Sequence, residues 1–176
     1  MVRKPRLFHV SETAGIARFE PRPPPSPDAG VTVDAVWAVS QSHLVNYLTP
    51  RDCPRIAYRA GPDTLGADRQ RFLIGAPVVV AIEAAWLGRL QAATLHVYEL
   101  PPEGFELALR EAGYWISPRA VTPVGCETIT DLVGALGAAG AELRLLQDFW
   151  PLAEAVAASS LEFSIIRARN ARPKSV

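Results

Sequence analysis

The chain is 176 residues long and nearly half apolar, enough for a core without staples, so one domain is expected over 1–176 with flexible ends at 1–6 and 171–176. Eighteen basic residues balance eighteen acidic ones, leaving no net field to hold nucleic acid or an anionic membrane. Cys53 and Cys126 make no close pair for a metal, and no apolar run approaches the ~20 residues of a bilayer span or follows the leader "MVRKPR" as a signal peptide would, so a cytoplasmic protein of bacterial type without a bound metal is expected.

Leu7 to Val10 reads as a short strand carrying His9. The stretch "FEPRPPPSPDAG" follows, with five prolines in residues 21–27. They remove five backbone donors, so a stiff, exposed loop is predicted over 21–29. "VTVDAVWAVS" (31–40) is β-branched and aromatic and predicts a strand, after which Ser40 caps a short helix to about Leu48 that Pro50 ends. "RIAYRA" (55–60) predicts a second strand and residues 68–73 a short helix. "PVVVAI" (77–82) is a wholly apolar strand leading into the helix "EAAWLGRLQ". "TLHVYEL" (94–100) alternates as a strand and is stopped by Pro101 and Pro102.

"PEGFELAL" then predicts a short helix, "YWIS" and "VTPVGCETI" two strands, and Thr130 a cap for the helix "DLVGALGAAG", with Gly140 just past its end. "AELRLL" predicts one more strand. In the last segment Asp148 and Pro151 are good helix-start residues, and Leu152, Val156, Ser159, Phe163 and Ile166 recur at steps of four and three. That stripe predicts one long helix over 149–169. Short strands mixed with short helices, and no repeating strand–helix unit, predict an α+β domain built on a split, bent sheet. GxGxxG and GxxxxGK[ST] are both missing from the sequence, which removes the dinucleotide fingerprint and the P-loop.

Few residues suggest chemistry. A lone histidine in an apolar strand is more often packed than functional, and His43 and His96 invite the same bland reading. "TPRDCPR" (49–55) sets Arg51 and Arg55 around Asp52 and Cys53 between prolines. It reads either as a self-bonded turn or as an anion pocket with guanidinium forks. A nucleophilic Cys53 would need an activating base that no spacing specifies. Glu99, Glu103 and Glu106 gather near the end of the "HVYEL" strand, as a solvated face or as carboxylates able to stabilise positive charge on a sugar. Arg22, Arg167 and Arg169 are first surface ion-pair partners.

Taken in order, "LFHVSETAGIARFEPR", "VWAVSQSHLVNYL", "LHVYELPPEGFE" and "YWISPRAVTPV" resemble the run of elements in small ADP-ribosyltransferase-fold proteins, in the style of the rifamycin-inactivating transferases, over roughly residues 7 to 130. The whole chain also resembles an uncharacterised bacterial protein family. The transferase resemblance implies NAD as cofactor and an ADP-ribose acceptor as partner. It implies that His9 bonds the ribose, with Ser11 its small neighbour, and that Trp37 stands where that fold usually has a tyrosine. Ser40 and Arg51 would stand at the rim of a nucleotide site, and Glu103 or Glu106 would be the catalytic acid. His9 and Trp37 are then expected on one face of adjacent strands, lining one pocket. The alternatives are a non-catalytic nucleotide-binding or protein-interaction module on the same fold, and a structural domain in which His9 is packed.

Overall fold

The computed structural model describes residues 5–24, 31–110 and 112–174. In chain order its elements are β1 (Leu7–Ser11), β2 (Val36–Ser40), a 3-10 helix (Gln41–Tyr47), β3 (Arg55–Arg59), and the turn α1 (Gly66–Asp68), which runs into a π-helical turn (Arg69–Leu73). There follow β4 (Val78–Glu83), a 3-10 turn (Ala84–Trp86) with α2 (Leu87–Ala92), β5 (Leu95–Leu100), β6 (Glu106–Leu109), β7 (Tyr114–Ser117) and β8 (Gly125–Ile129). The chain closes with α3 (Leu132–Ala138), β9 (Ala141–Leu146), α4 (Trp150–Ala157), β10 (Glu162–Ile166) and a last 3-10 turn (Ala168–Asn170). The fold is α+β, with two sheets and short helices, and the chain divides into two compact units, Met1–Tyr47 with Thr94–Ile129, and Leu48–Ala93 with Thr130–Val176.

The first unit holds a six-stranded antiparallel sheet in the order β6-β7-β2-β1-β5-β8. Alternation along the strands sends Leu7, Val36, Ala38, Tyr98 and Leu100 to one face, where Phe19, Phe105 and Val121 complete a core. Phe19 and Val121 exchange backbone hydrogen bonds of 2.8 and 2.9 Å, which fastens the segment after β1 over that face. Tyr98 fastens it again, its hydroxyl donating to the Thr13 carbonyl (2.8 Å) and accepting from the Ile16 amide (3.1 Å).

The second unit holds a four-stranded sheet in the order β10-β3-β4-β9, antiparallel except for the parallel pair β4–β9. Every residue of β4 is buried, as its unbroken apolar run requires of a central strand. Ile56, Tyr58, Val79 and Ala81 share a core with Phe72, Phe149 and Val156. Arg144, on β9, ties this core to the π-helical turn. Its guanidinium donates to the Tyr58 hydroxyl (2.8 Å) and to the carbonyls of Phe72 (2.5 Å) and Leu73 (3.3 Å). Those carbonyls belong to the end of a helical segment, where no partner exists within the helix itself.

Three expectations are corrected. The long C-terminal helix is absent: α4 ends at Ala157, and residues 162–166 form β10, paired with β3 over five residues. Ser159 stops the helix because its hydroxyl turns back onto the Val156 carbonyl (2.6 Å). Ser160 is then drawn away by Asp68, whose carboxylate accepts from its amide (2.8 Å) and hydroxyl (2.6 Å). "PEGFELAL" is a turn followed by β6, since Gly104 adopts φ +82° and the residues beyond it find a ladder on β7. The cap of α3 is Asp131, which accepts from the Gly134 amide at 2.8 Å, and not Thr130.

Of the proline stretch, residues 21–24 are described, with Arg22 exchanging two 3.0 Å backbone bonds with Ala35, while 25–30 lie outside the described residues. Of the expected flexible ends, 1–4 and 175–176 also lie outside them. Arg172 is held on both sides: its amide donates to the Glu83 carboxylate (3.2 Å), and its carbonyl accepts from the Trp150 indole (2.7 Å).

Candidate functional site

His9 sits at the middle of β1, half-buried on the core face of the first unit. Its Nδ1 lies 2.8 Å from the Trp37 carbonyl, and its ring centroid is 4.6 Å from that of Phe19. A carbonyl only accepts, so Nδ1 carries the proton, and the neutral ring has its lone pair on Nε2. The β1–β2 ladder contains only the pairs Leu7–Ser40 and Phe8–Val39, so the strands part beside His9. The imidazole therefore takes the carbonyl that a longer ladder would have occupied. In the neutral state Nε2 can only accept, so a ribose hydroxyl bonded to His9 would be the donor.

Strand parity separates His9 from Trp37. Phe8 pairs with Val39, so Trp37, two residues before Val39, projects on the Phe8 side, while His9 projects on the opposite one. The shared pocket expected for the two side chains does not form. Trp37 instead packs edge-on against Tyr114 (5.7 Å between centroids, 86°), and Tyr114 meets Tyr47 at 6.3 Å. The two tyrosine hydroxyls are hydrogen-bonded, so the three rings form one connected aromatic group. The indole Nε1 of Trp37 is buried with no hydrogen-bond partner among the described residues. In register, Trp37 pairs with Ile116 and Ile116 with Glu106, which puts the exposed Glu106 on the same face of the sheet as the indole.

Ser40 and Ser42 stand at the head of the 3-10 helix, each hydroxyl 3.0 Å from His43 Nδ1 and 3.1 Å from the other. The expected backbone cap by Ser40 is thus replaced by a side-chain cluster. Gly113 makes room for it. A Cβ at that position, where φ is +65°, would collide with His43 Nδ1 and come within 2.7 Å of Ser40 Oγ. Ser11 serves a local turn, its hydroxyl accepting from the Thr13 amide at 3.0 Å. Glu103 is exposed in the turn before β6. Arg51 lies in the second unit, exposed in the turn closed by the Cys53 amide on the Pro50 carbonyl (3.0 Å). Cys53 is fully buried, and burial pushes its thiol up to about 12, the nearby Arg55 opposing and Glu83 reinforcing the shift. It is no nucleophile at neutral pH.

The structure thus gathers Trp37, Tyr114 and Tyr47, with Glu106 on the same sheet face, and leaves His9 and Ser11 on the other. The tyrosines were invisible as site residues in the sequence, because 67 positions separate Tyr47 from Tyr114 and no motif links them. The matching family model covers residues 8–171, the span that contains both of these groups. The chain belongs to the family of unknown function DUF6886. No curated protein and no solved structure matches it. This DUF6886 chain has no group of three or more metal-ligating side chains among its described residues, and none of its described helices is long and apolar enough to cross a membrane.

Proposed function

We propose that this protein binds a nucleotide of the NAD or ADP-ribose class against the Trp37–Tyr114–Tyr47 face of its first unit. The observation that carries this reading is the buried Trp37 Nε1 with no partner among the described residues. A buried donor left unsatisfied costs roughly 1–3 kcal/mol, and a ligand acceptor such as a carboxamide or phosphate oxygen would remove that cost. Aromatic side chains also supply stacking area for a base or a nicotinamide ring. The resemblance of the "LFHVS", "VWAVS" and "YWIS" strands to the ADP-ribosyltransferase fold supports the choice of nucleotide. In this reading His9 acts through the Trp37 backbone rather than on the ligand.

Transferase turnover is the second reading, and Glu106 favours it, because the register sets that carboxylate on the face of Trp37. Glu106 would then stabilise the oxocarbenium-like charge on the ribose as nicotinamide departs. Binding without turnover is the reading the geometry supports better, since the histidine and the carboxylate project from opposite faces of one sheet.

The test is thermal melting with NAD and with ADP-ribose. A ligand at one hundred times its dissociation constant adds about 2.7 kcal/mol, a clear rise in Tm. Trp37→Phe keeps the ring packing, removes the N–H and should weaken the response at least tenfold in apparent Kd. No response from the wild-type protein to either nucleotide sinks the reading. Nicotinamide release lost in Glu106→Gln but retained in Glu103→Gln would establish turnover through Glu106.

A further inference from the structure

We propose that the second unit carries an oxyanion site of the phosphate class where the loop 49–55 meets the turn at Arg167, a proposal that does not rest on the nucleotide reading of the first unit.

Three consecutive carbonyls of this loop are each taken by a side-chain N–H. Arg167 Nε donates to the Arg51 carbonyl (3.3 Å), Asn170 Nδ2 to that of Asp52 (2.7 Å), and an Arg55 guanidinium nitrogen to that of Cys53 (2.9 Å). The loop is thereby fixed with its negative dipole ends occupied, and guanidinium groups are brought to it from β3 and from the turn after β10. Arg55 is only 3% exposed, so its charge acts from inside the fold. Thr49, at the head of the same loop, is 1% exposed, and its hydroxyl has no hydrogen-bond partner among the described residues.

Arg167 itself supplies the deciding oddity. Its backbone is left-handed, at φ 56° and ψ 29°, a conformation that costs a residue with a Cβ roughly 1–2 kcal/mol and that glycine or asparagine adopts more readily. In return the half-buried side chain makes one long hydrogen bond, through Nε, among the described residues. A strained residue with so small a structural gain points to a role for its guanidinium fork. A planar fork bonded to a loop that also holds a buried guanidinium and an unpartnered hydroxyl suits a tetrahedral oxyanion with several acceptor oxygens. Asp52, exposed on the loop, and Glu83, buried and accepting from the Arg172 amide, are the opposing carboxylates, against arginines at 51, 55 and 167.

The experiment melts the full chain in phosphate, in pyrophosphate and in succinate, each against sodium chloride at equal ionic strength. Phosphate or pyrophosphate should raise the wild-type Tm above the chloride control, with succinate giving little. Arg167→Gly and Arg167→Asn, which both accept the left-handed backbone, should melt no more than about 2 °C below wild type in chloride and lose the phosphate response. An equal or larger shift in succinate overturns the phosphate assignment. So does a full phosphate response in either variant, or the lack of a response in the wild type. If both variants melt far below the wild type in chloride, Arg167 is a structural clamp and the proposal is wrong.

Discussion

Replacing His9 by alanine should destabilise the protein even though the ring is half exposed. The substitution strips the Trp37 carbonyl of its 2.8 Å partner and removes the ring that lies 4.6 Å from Phe19. The hydrogen bond contributes about 1 kcal/mol net, and the aromatic contact with its partial burial about 1 kcal/mol more. The expected loss is therefore about 2 kcal/mol, which at a typical urea slope of about 2 kcal/mol/M lowers the midpoint by about 1 M. Equilibrium urea unfolding followed by far-UV circular dichroism measures it. His9→Asn, whose amide nitrogen takes a place close to Nδ1, should recover part of the hydrogen-bond share. A midpoint within about 0.3 M of wild type for His9→Ala, at unchanged slope, would refute the structural role assigned to this imidazole.

Cys53 is buried with its thiol pushed up to about 12, and Cys126 is exposed, so a colorimetric thiol titration should find one reactive thiol per native chain and two in denaturant; two in the native protein contradict the burial. Asp68 accepts two hydrogen bonds from Ser160, and these hold its carboxyl below the ordinary carboxylate range. Its folded pKa is depressed, so its contribution is present above the unfolded value and is lost as pH falls through the folded one. The Tm gap between wild type and Asp68→Asn should accordingly close below about pH 4, and a gap constant down to pH 2.5 contradicts the linkage. Arg144→Met should cost about 1–3 kcal/mol in urea unfolding, because it strands the Phe72 carbonyl and the Tyr58 hydroxyl, while the Leu73 carbonyl keeps the Ala76 amide at 2.9 Å; a loss under about 0.5 kcal/mol speaks against that bracing role. Ile74 is 74% exposed at φ 50°, so Ile74→Asn should raise Tm, and a fall shows that the side chain has a packing role.

The strands were legible wherever local pattern and local punctuation agreed. Of the strand expected over 31–40 only Val36–Ser40 forms, β-branched and followed directly by the 3-10 helix, while Leu95–Leu100 alternates and runs into two prolines. The segment 159–166 was not legible, because two periods fit it. Ser159, Phe163 and Ile166 continue a helical stripe, while Leu161, Phe163 and Ile165 alternate as a strand. What decides between them is the vacant edge of β3, about a hundred residues earlier, and no window of local sequence contains that edge. The bonds that fasten loop 49–55 were hidden for the same reason, since their partners are separated by 116 and 118 positions.

For the candidate site, what the sequence could not supply was parity. Finding His9 and Trp37 on neighbouring strands leaves two arrangements, on one face or on opposite faces, and a one-residue change of register converts one into the other. The pair Phe8–Val39 selects the second. His9 bonds a backbone carbonyl on the core face, and the groups that share the face of Trp37 include Tyr114 and Glu106. In the proposed nucleotide-binding reading the aromatic group would provide area and orientation, and Glu106 is a carboxylate on the same face. Under that reading, a carboxylate that shares the aromatic face while His9 projects from the other fits binding more readily than turnover.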